Sequence, residues 1–122
     1  METKKDLGQE GEDEACRVLR SAGYEIVARN WRSRFGELDV VAREGDVLVF
    51  VEVKSRADPS YGGPEAAVGR RKQRRLIAAA KGFLAATGCE LAARFDVVAM
   101  EGETVRIVRD AFQVDDDDWA AH

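Results

Sequence analysis

Asp39, Glu52 and Lys54 stand in two segments whose other residues are those of a buried sheet. Asp39 closes the run Gly36-Glu37-Leu38-Asp39, and thirteen residues later Glu52-Val53-Lys54 ends the stretch Val47-Leu48-Val49-Phe50-Val51. That second stretch is β-branched and aromatic, the composition of a strand in the middle of a sheet. A charge buried there is costly unless it is paired or binds a metal. Two carboxylates and an ammonium converging in such a place point to a divalent-cation site.

Convergence depends on how two strands position these side chains. Alternate residues of a strand share a face, so Glu52 and Lys54 point the same way, with Phe50 and Leu48 behind them, and Glu37 shares a face with Asp39. Arg43-Glu44-Gly45-Asp46 between the strands reads as a hairpin turn. An antiparallel pair closed there brings Asp39 opposite the segment 52–54. A slip of one residue would turn Asp39 to the other face.

The rest of the chain supplies elements on either side of this pair. Ala15, Val18, Leu19 and Ala22 recur at helical spacing over residues 8–22, with Glu12 at the edge of the inward stripe and Gly23 as the stop. Strands are expected over residues 24–29, 37–42, 47–55, 95–100 and 104–108. After a loop rich in breakers, Asp58-Pro59-Ser60-Tyr61-Gly62-Gly63-Pro64, a long helix is expected over residues 65–87. Its apolar arc holds Val68, Leu76, Ile77, Ala80, Phe83 and Leu84, and Lys72 and Gln73 lie within that arc. Arg70, Arg71, Arg74, Arg75 and Lys81 lie outside it. The order αβββαββ predicts an α/β fold: a three-stranded antiparallel meander, then a helical crossover returning a strand parallel to a neighbour. The result is a mixed five-stranded sheet flanked by helices.

At 122 residues the chain fits one domain with a single core. The longest uninterrupted apolar run is residues 47–51, whereas a membrane span needs about 20 residues, so no membrane partner is expected. Nothing apolar follows Lys4 and Lys5 as a secretory signal would require, and Cys16 and Cys89 form no metal or redox motif. A cytoplasmic location with reduced thiols is the expectation. The net charge of −4 looks unsuited to nucleic acid, but its distribution is not. Between positions 54 and 81 the bases Lys54, Arg56, Arg70, Arg71, Lys72, Arg74, Arg75 and Lys81 face only Asp58 and Glu65. A local basic face sets a phosphate-binding footprint, whatever the total charge. Acidity is concentrated in residues 10–14 and 115–118, and residues 113–122 are expected to be a flexible acidic tail.

Read together, Gly8-Gln9-Glu10-Gly11-Glu12, Arg29-Asn30-Trp31-Arg32, Gly36-Glu37-Leu38-Asp39, Phe50-Val51-Glu52-Val53-Lys54-Ser55-Arg56, Lys72, Arg94-Phe95-Asp96-Val97-Val98 and Ala111-Phe112 form an ordered set. In these the chain resembles the YraN-like (UPF0102) family of predicted bacterial endonucleases. That family is placed in the PD-(D/E)XK nuclease superfamily with archaeal Holliday-junction resolvases and restriction enzymes. The resemblance implies a restriction-endonuclease-like core with Asp39 and Glu52 as metal-binding acids. It further implies that Lys54 is the catalytic lysine and Glu12 the acid supplied by the first helix. Leu38 replaces the proline expected before the aspartate.

On this basis the expected cofactor is Mg²⁺ or Mn²⁺, held by Asp39, Glu52 and the Val53 carbonyl, with Glu12 holding a water or a second ion. The expected activity is hydrolysis of DNA phosphodiester bonds, structure-selective and as a homodimer. Lys54 would stabilise developing charge, or would simply pair with Glu52 or Asp39. Arg56, Arg70, Arg71, Lys72, Gln73 and Arg74 are the candidate nucleic-acid contacts, against a solvated helix face for the arginines and a snorkelling role for Lys72. Glu37 is a further ligand or a salt-bridge partner of Arg34 or Arg56. The alternative function is a catalytically silent nucleic-acid-binding or protein-interaction module on the same fold.

Overall fold

The computed structural model describes residues 4–55 and 68–120. The elements are α1 (Lys4–Ser21), β1 (Glu25–Ser33), β2 (Gly36–Glu44), β3 (Val47–Ser55), α2 (Arg70–Thr87), β4 (Ala92–Glu101), β5 (Thr104–Val108) and α3 (Asp116–Ala120). One five-stranded sheet runs in the order β1-β2-β3-β4-β5. Its β3–β4 pair is parallel and the other three pairs are antiparallel, so the expected mixed sheet is what forms.

The β2–β3 hairpin fixes the register of the central strands. Glu44 pairs with Val47 across a two-residue turn, where Gly45 takes φ 60°. That left-handed conformation is open to glycine at little cost. From the turn the ladder runs back to Val40 opposite Val51.

The sheet separates two apolar layers. On one face Val40, Ala42, Val49, Val51 and Val98 pack with Ala15, Cys16 and Leu19 of α1. On the other, Val41, Leu48, Phe50, Phe95 and Val97 pack with Leu76, Ala79, Ala80 and Phe83 of α2. Trp31 joins the second layer, edge-on to Phe83 with ring centroids 5.5 Å apart. Strands buried on both faces explain why β3 reads as a continuous apolar run instead of an alternating one.

Two elements differ from expectation. The long helix begins at Arg70, not at residue 65: Gly69 is its extended N-cap, and Val68 is buried from outside the helix. Residues 65–67 lie outside the described residues. Where a frayed acidic end was expected, residues 116–120 are helical and Trp119 stacks on Phe95 at 5.8 Å. Phe112 stacks on the same ring at 4.7 Å, so the segment after β5 is anchored by aromatic contacts.

Candidate metal and phosphodiester site

The sheet is interrupted where the candidate acids lie. Continuing the β2–β3 register one step beyond Val40 and Val51 sets Asp39 across from Glu52, but the ladder stops short of that pair. Asp39 Oδ2 instead accepts a 3.0 Å hydrogen bond from the Val53 backbone N–H. The β1–β2 ladder also skips the position of Asp39, opposite which Asn30 sits at φ 52°. Asparagine tolerates this left-handed conformation better than most residues. Alternation breaks at the same point, since Leu38 packs in the α2 layer and Val40 in the α1 layer. Asp39 therefore stands at a split between strands.

Glu52 follows Phe50 on the α2 face and is only 7% exposed, and Lys54, two residues on, is 3% exposed. From α2, Lys72 brings its Nζ to 3.3 Å from Glu52 Oε1. The Asp39 carboxyl is raised to about 7, first by burial and then by the Glu52 carboxylate, with the Val53 N–H and Lys72 acting against the rise. Glu12 reaches the cluster from α1. Its carboxyl is also raised, first by burial and then by Asp39, with Arg29 and a hydrogen bond from Asn30 acting against this. Glu12 Oε1 is buried without a hydrogen-bond partner among the described residues.

Glu12, Asp39 and Glu52 are thus drawn from α1, β2 and β3 to one end of the central strands, with Lys54 two residues beyond Glu52 on β3. Among the described residues no three Asp, Glu, His or Cys side chains close into a ready-made cage. The donor set nevertheless fits a hard divalent cation. All its atoms are oxygens, the carboxyls of Asp39 and Glu12 are raised, and Glu12 Oε1 lacks a donor.

Arg70, Arg71 and Arg74 are exposed on α2, as is Arg75. Lys72 turns inward to Glu52, and the Gln73 amide donates a 2.7 Å hydrogen bond to the Val68 carbonyl just before the helix. Arg56 lies outside the described residues. Glu37 pairs with Arg32 at 3.2 Å on the surface, a partner different from the two expected. Sequence reasoning missed Arg29 and Asn30 as the groups beside Glu12. The one available signal was a turn-prone asparagine in the middle of a strand.

A mixed sheet of this order with a helix on each face defines a restriction-endonuclease-like fold. Its likeness to the solved structure of Archaeoglobus fulgidus Hjc, described as a Holliday junction resolvase from an archaeal hyperthermophile, has a TM-score of 0.53. The match covers 92% of this chain and 91% of that one at 19% sequence identity, and it carries the fold. The chain belongs to the family described as "Uncharacterised protein family UPF0102", whose profile matches residues 11–100. A UPF0102 protein of Burkholderia pseudomallei is 50% identical over 115 residues, covering 93% of this chain and 80% of the relative. One from Herminiimonas arsenicoxydans is 45% identical over 107 residues, covering 88% and 86%. No helix among the described residues is long and apolar enough to cross a membrane.

Proposed function

We propose that this protein is a metal-dependent endonuclease that hydrolyses DNA phosphodiester bonds, with selectivity for branched structures. The observation that carries the reading is the juxtaposition of Asp39 and Glu52 at a split in the sheet, where burial and the second carboxylate together raise the first. A half-buried acid set against a buried one weakens a fold unless a cation completes them. The resolvase identity of the A. fulgidus neighbour supports the substrate class.

A bound Mg²⁺ or Mn²⁺ would neutralise phosphate oxygens and acidify a water. Asp39 and Glu52 would hold the ion with the Val53 carbonyl, and the Val53 N–H keeps the Asp39 carboxylate in place. Glu12 Oε1, which has no donor among the described residues, would take a water or a second ion. Lys54, fixed in a buried strand, would set its ammonium against the charge that develops on the phosphate. Arg70, Arg71 and Arg74 would take the nucleic-acid backbone, which carries no sequence information and suits recognition by shape. A two-fold dimer would present two such sites to two strands.

The test is Mn²⁺ calorimetry on the wild type and Asp39→Asn, with nicking of supercoiled, linear and four-way-junction DNA followed in the same samples. The expected result is that Asp39→Asn loses metal binding and that cleavage falls by about a hundredfold or more. DNA binding by the wild type with neither metal binding nor cleavage would replace this reading with a silent binding module.

A further inference from the structure

Lys72, one of the candidate nucleic-acid contacts, also bears directly on the candidate acids. It rises from the first turn of α2, a turn that contains no acidic residue. Its neighbours Arg70, Arg71, Arg74 and Arg75 all face solvent, and it alone of these basic residues turns to the sheet. Its Nζ lies 3.3 Å from Glu52 Oε1, and the side chain is 37% exposed against 8% for Glu52. The ammonium also lowers the proton affinity of Asp39. A cation on a flexible stem, set against the buried Glu52 and close enough to the half-buried Asp39 to act on it, would compete with a divalent ion for the same oxygens. The stem also leaves it free to reach a phosphate arriving along the arginine face.

Resting on the nuclease reading of this site, we infer that Lys72 is a resident counter-ion that competes with the divalent metal for Glu52 and moves to a substrate phosphate when nucleic acid binds. Without substrate, the ammonium partly neutralises the Asp39 and Glu52 pair and weakens metal binding. A backbone phosphate gives the ammonium another partner and releases Glu52 to the metal. Metal and nucleic acid then favour each other's binding, and by linkage the factor is the same in both directions. The device limits metal loading, and with it cutting, to enzyme that already holds a substrate.

The experiment is Mn²⁺ titration calorimetry of the full chain as wild type, Lys72→Gln and Lys72→Arg, with Asp39→Asn as the site control. Each is titrated alone and with a short DNA duplex whose phosphorothioate linkages resist cutting. Without DNA, Lys72→Gln is expected to bind Mn²⁺ about five- to tenfold more tightly than the wild type. DNA tightens Mn²⁺ binding to the wild type and to Lys72→Arg, and does so much less for Lys72→Gln. A purely structural lysine would give the opposite order, with Lys72→Gln loosening the site and weakening Mn²⁺ binding. Equal or weaker binding by Lys72→Gln, while the wild type retains Asp39-dependent binding, overturns the competition and leaves the metal site standing. Absence of Asp39-dependent binding from both the wild type and Lys72→Gln would sink the nuclease reading, and the competition with it. Thermal melts of the metal-free variants separate a folding defect from either result.

Discussion

Two buried carboxylates lie one register step apart on opposite faces of this sheet, and they are treated differently. Asp96 of β4 pairs in register with Val51, and Glu52 with Val97. Asp96 is 1% exposed, yet both of its oxygens are satisfied. Tyr24 donates its hydroxyl at 2.7 Å, Arg94 donates at 2.9 and 3.1 Å, and the Asp110 backbone N–H donates at 2.9 Å. Arg94 continues to Glu44 at 2.6 Å, where Arg109 joins at 3.0 Å. Both arginines also lie over the Tyr24 ring. At the split, Asp39 is raised by burial and by the Glu52 carboxylate, Glu52 has the Lys72 ammonium at 3.3 Å, and Glu12, reaching in from α1, keeps a buried oxygen without a donor among the described residues. A carboxylate whose acceptors are all met is part of the scaffold. One left beside another carboxylate is stability withheld for a ligand.

The comparison breaks most visibly if Asp96 is removed. Asp96→Ala strands the Tyr24 hydroxyl and the Asp110 N–H and takes the inner partner from Arg94. The expected loss is about 3–5 kcal/mol of unfolding free energy by urea denaturation, enough to unfold a marginal domain. A change below about 1 kcal/mol would remove the distinction between the two clusters.

Asp39→Asn should move stability the other way. A carboxyl raised from 3.8 to about 7 in the fold binds its proton more tightly than in the unfolded chain. Its contribution is therefore fully present below about pH 4, falls as pH rises, and is gone above about pH 7. At pH 8 without divalent metal, Asp39→Asn should gain roughly 1–3 kcal/mol over the wild type, and at pH 4 it should gain little. Saturating Mn²⁺ should stabilise the wild type and leave the variant unchanged. The Glu44 carboxyl, lowered by its bonds to Arg109 and then Arg94, gives the opposite dependence. Its contribution is present above the ordinary glutamate pKa and is lost as pH falls below it. An Asp39→Asn curve parallel to the wild type from pH 4 to 8 would contradict this account.

What the sequence revealed follows the locality of the physics. The strand 47–55, the turn at Gly45 and the register that carries Asp39 toward the segment 52–54 depend on alternation and a tight turn, and all are legible. The split at Asp39 is not, because it depends on a side-chain oxygen capturing the Val53 N–H and on Asn30 adopting a positive φ. The start of α2 was misplaced because Val68 falls on the helical arc of Lys72 and Leu76, yet is buried from an extended segment. The terminal helix was hidden in an aspartate run whose single large apolar residue, Trp119, finds Phe95 from 24 positions away. Asp96 reads only as a polar residue within a strand, since its partner Tyr24 is 72 positions distant.

Tyr24→Phe makes the smallest test of the comparison and its sharpest control. The hydroxyl is buried and gives its proton to Asp96, so burial and that bond together push its pKa up to about 12. Removing the oxygen leaves the ring in the core and under both arginines, while Asp96 keeps Arg94 and the Asp110 N–H. The expected cost is about 1 kcal/mol by urea denaturation, the net worth of one buried hydrogen bond with its acceptor otherwise supplied. Mn²⁺ affinity and cleavage should not change, because the network shares no residue with Glu12, Asp39, Glu52 or Lys72. A fall in Mn²⁺ affinity in Tyr24→Phe at unchanged fold would mean that the scaffold cluster positions the acids across the sheet, and the two regions would then have to be read as one.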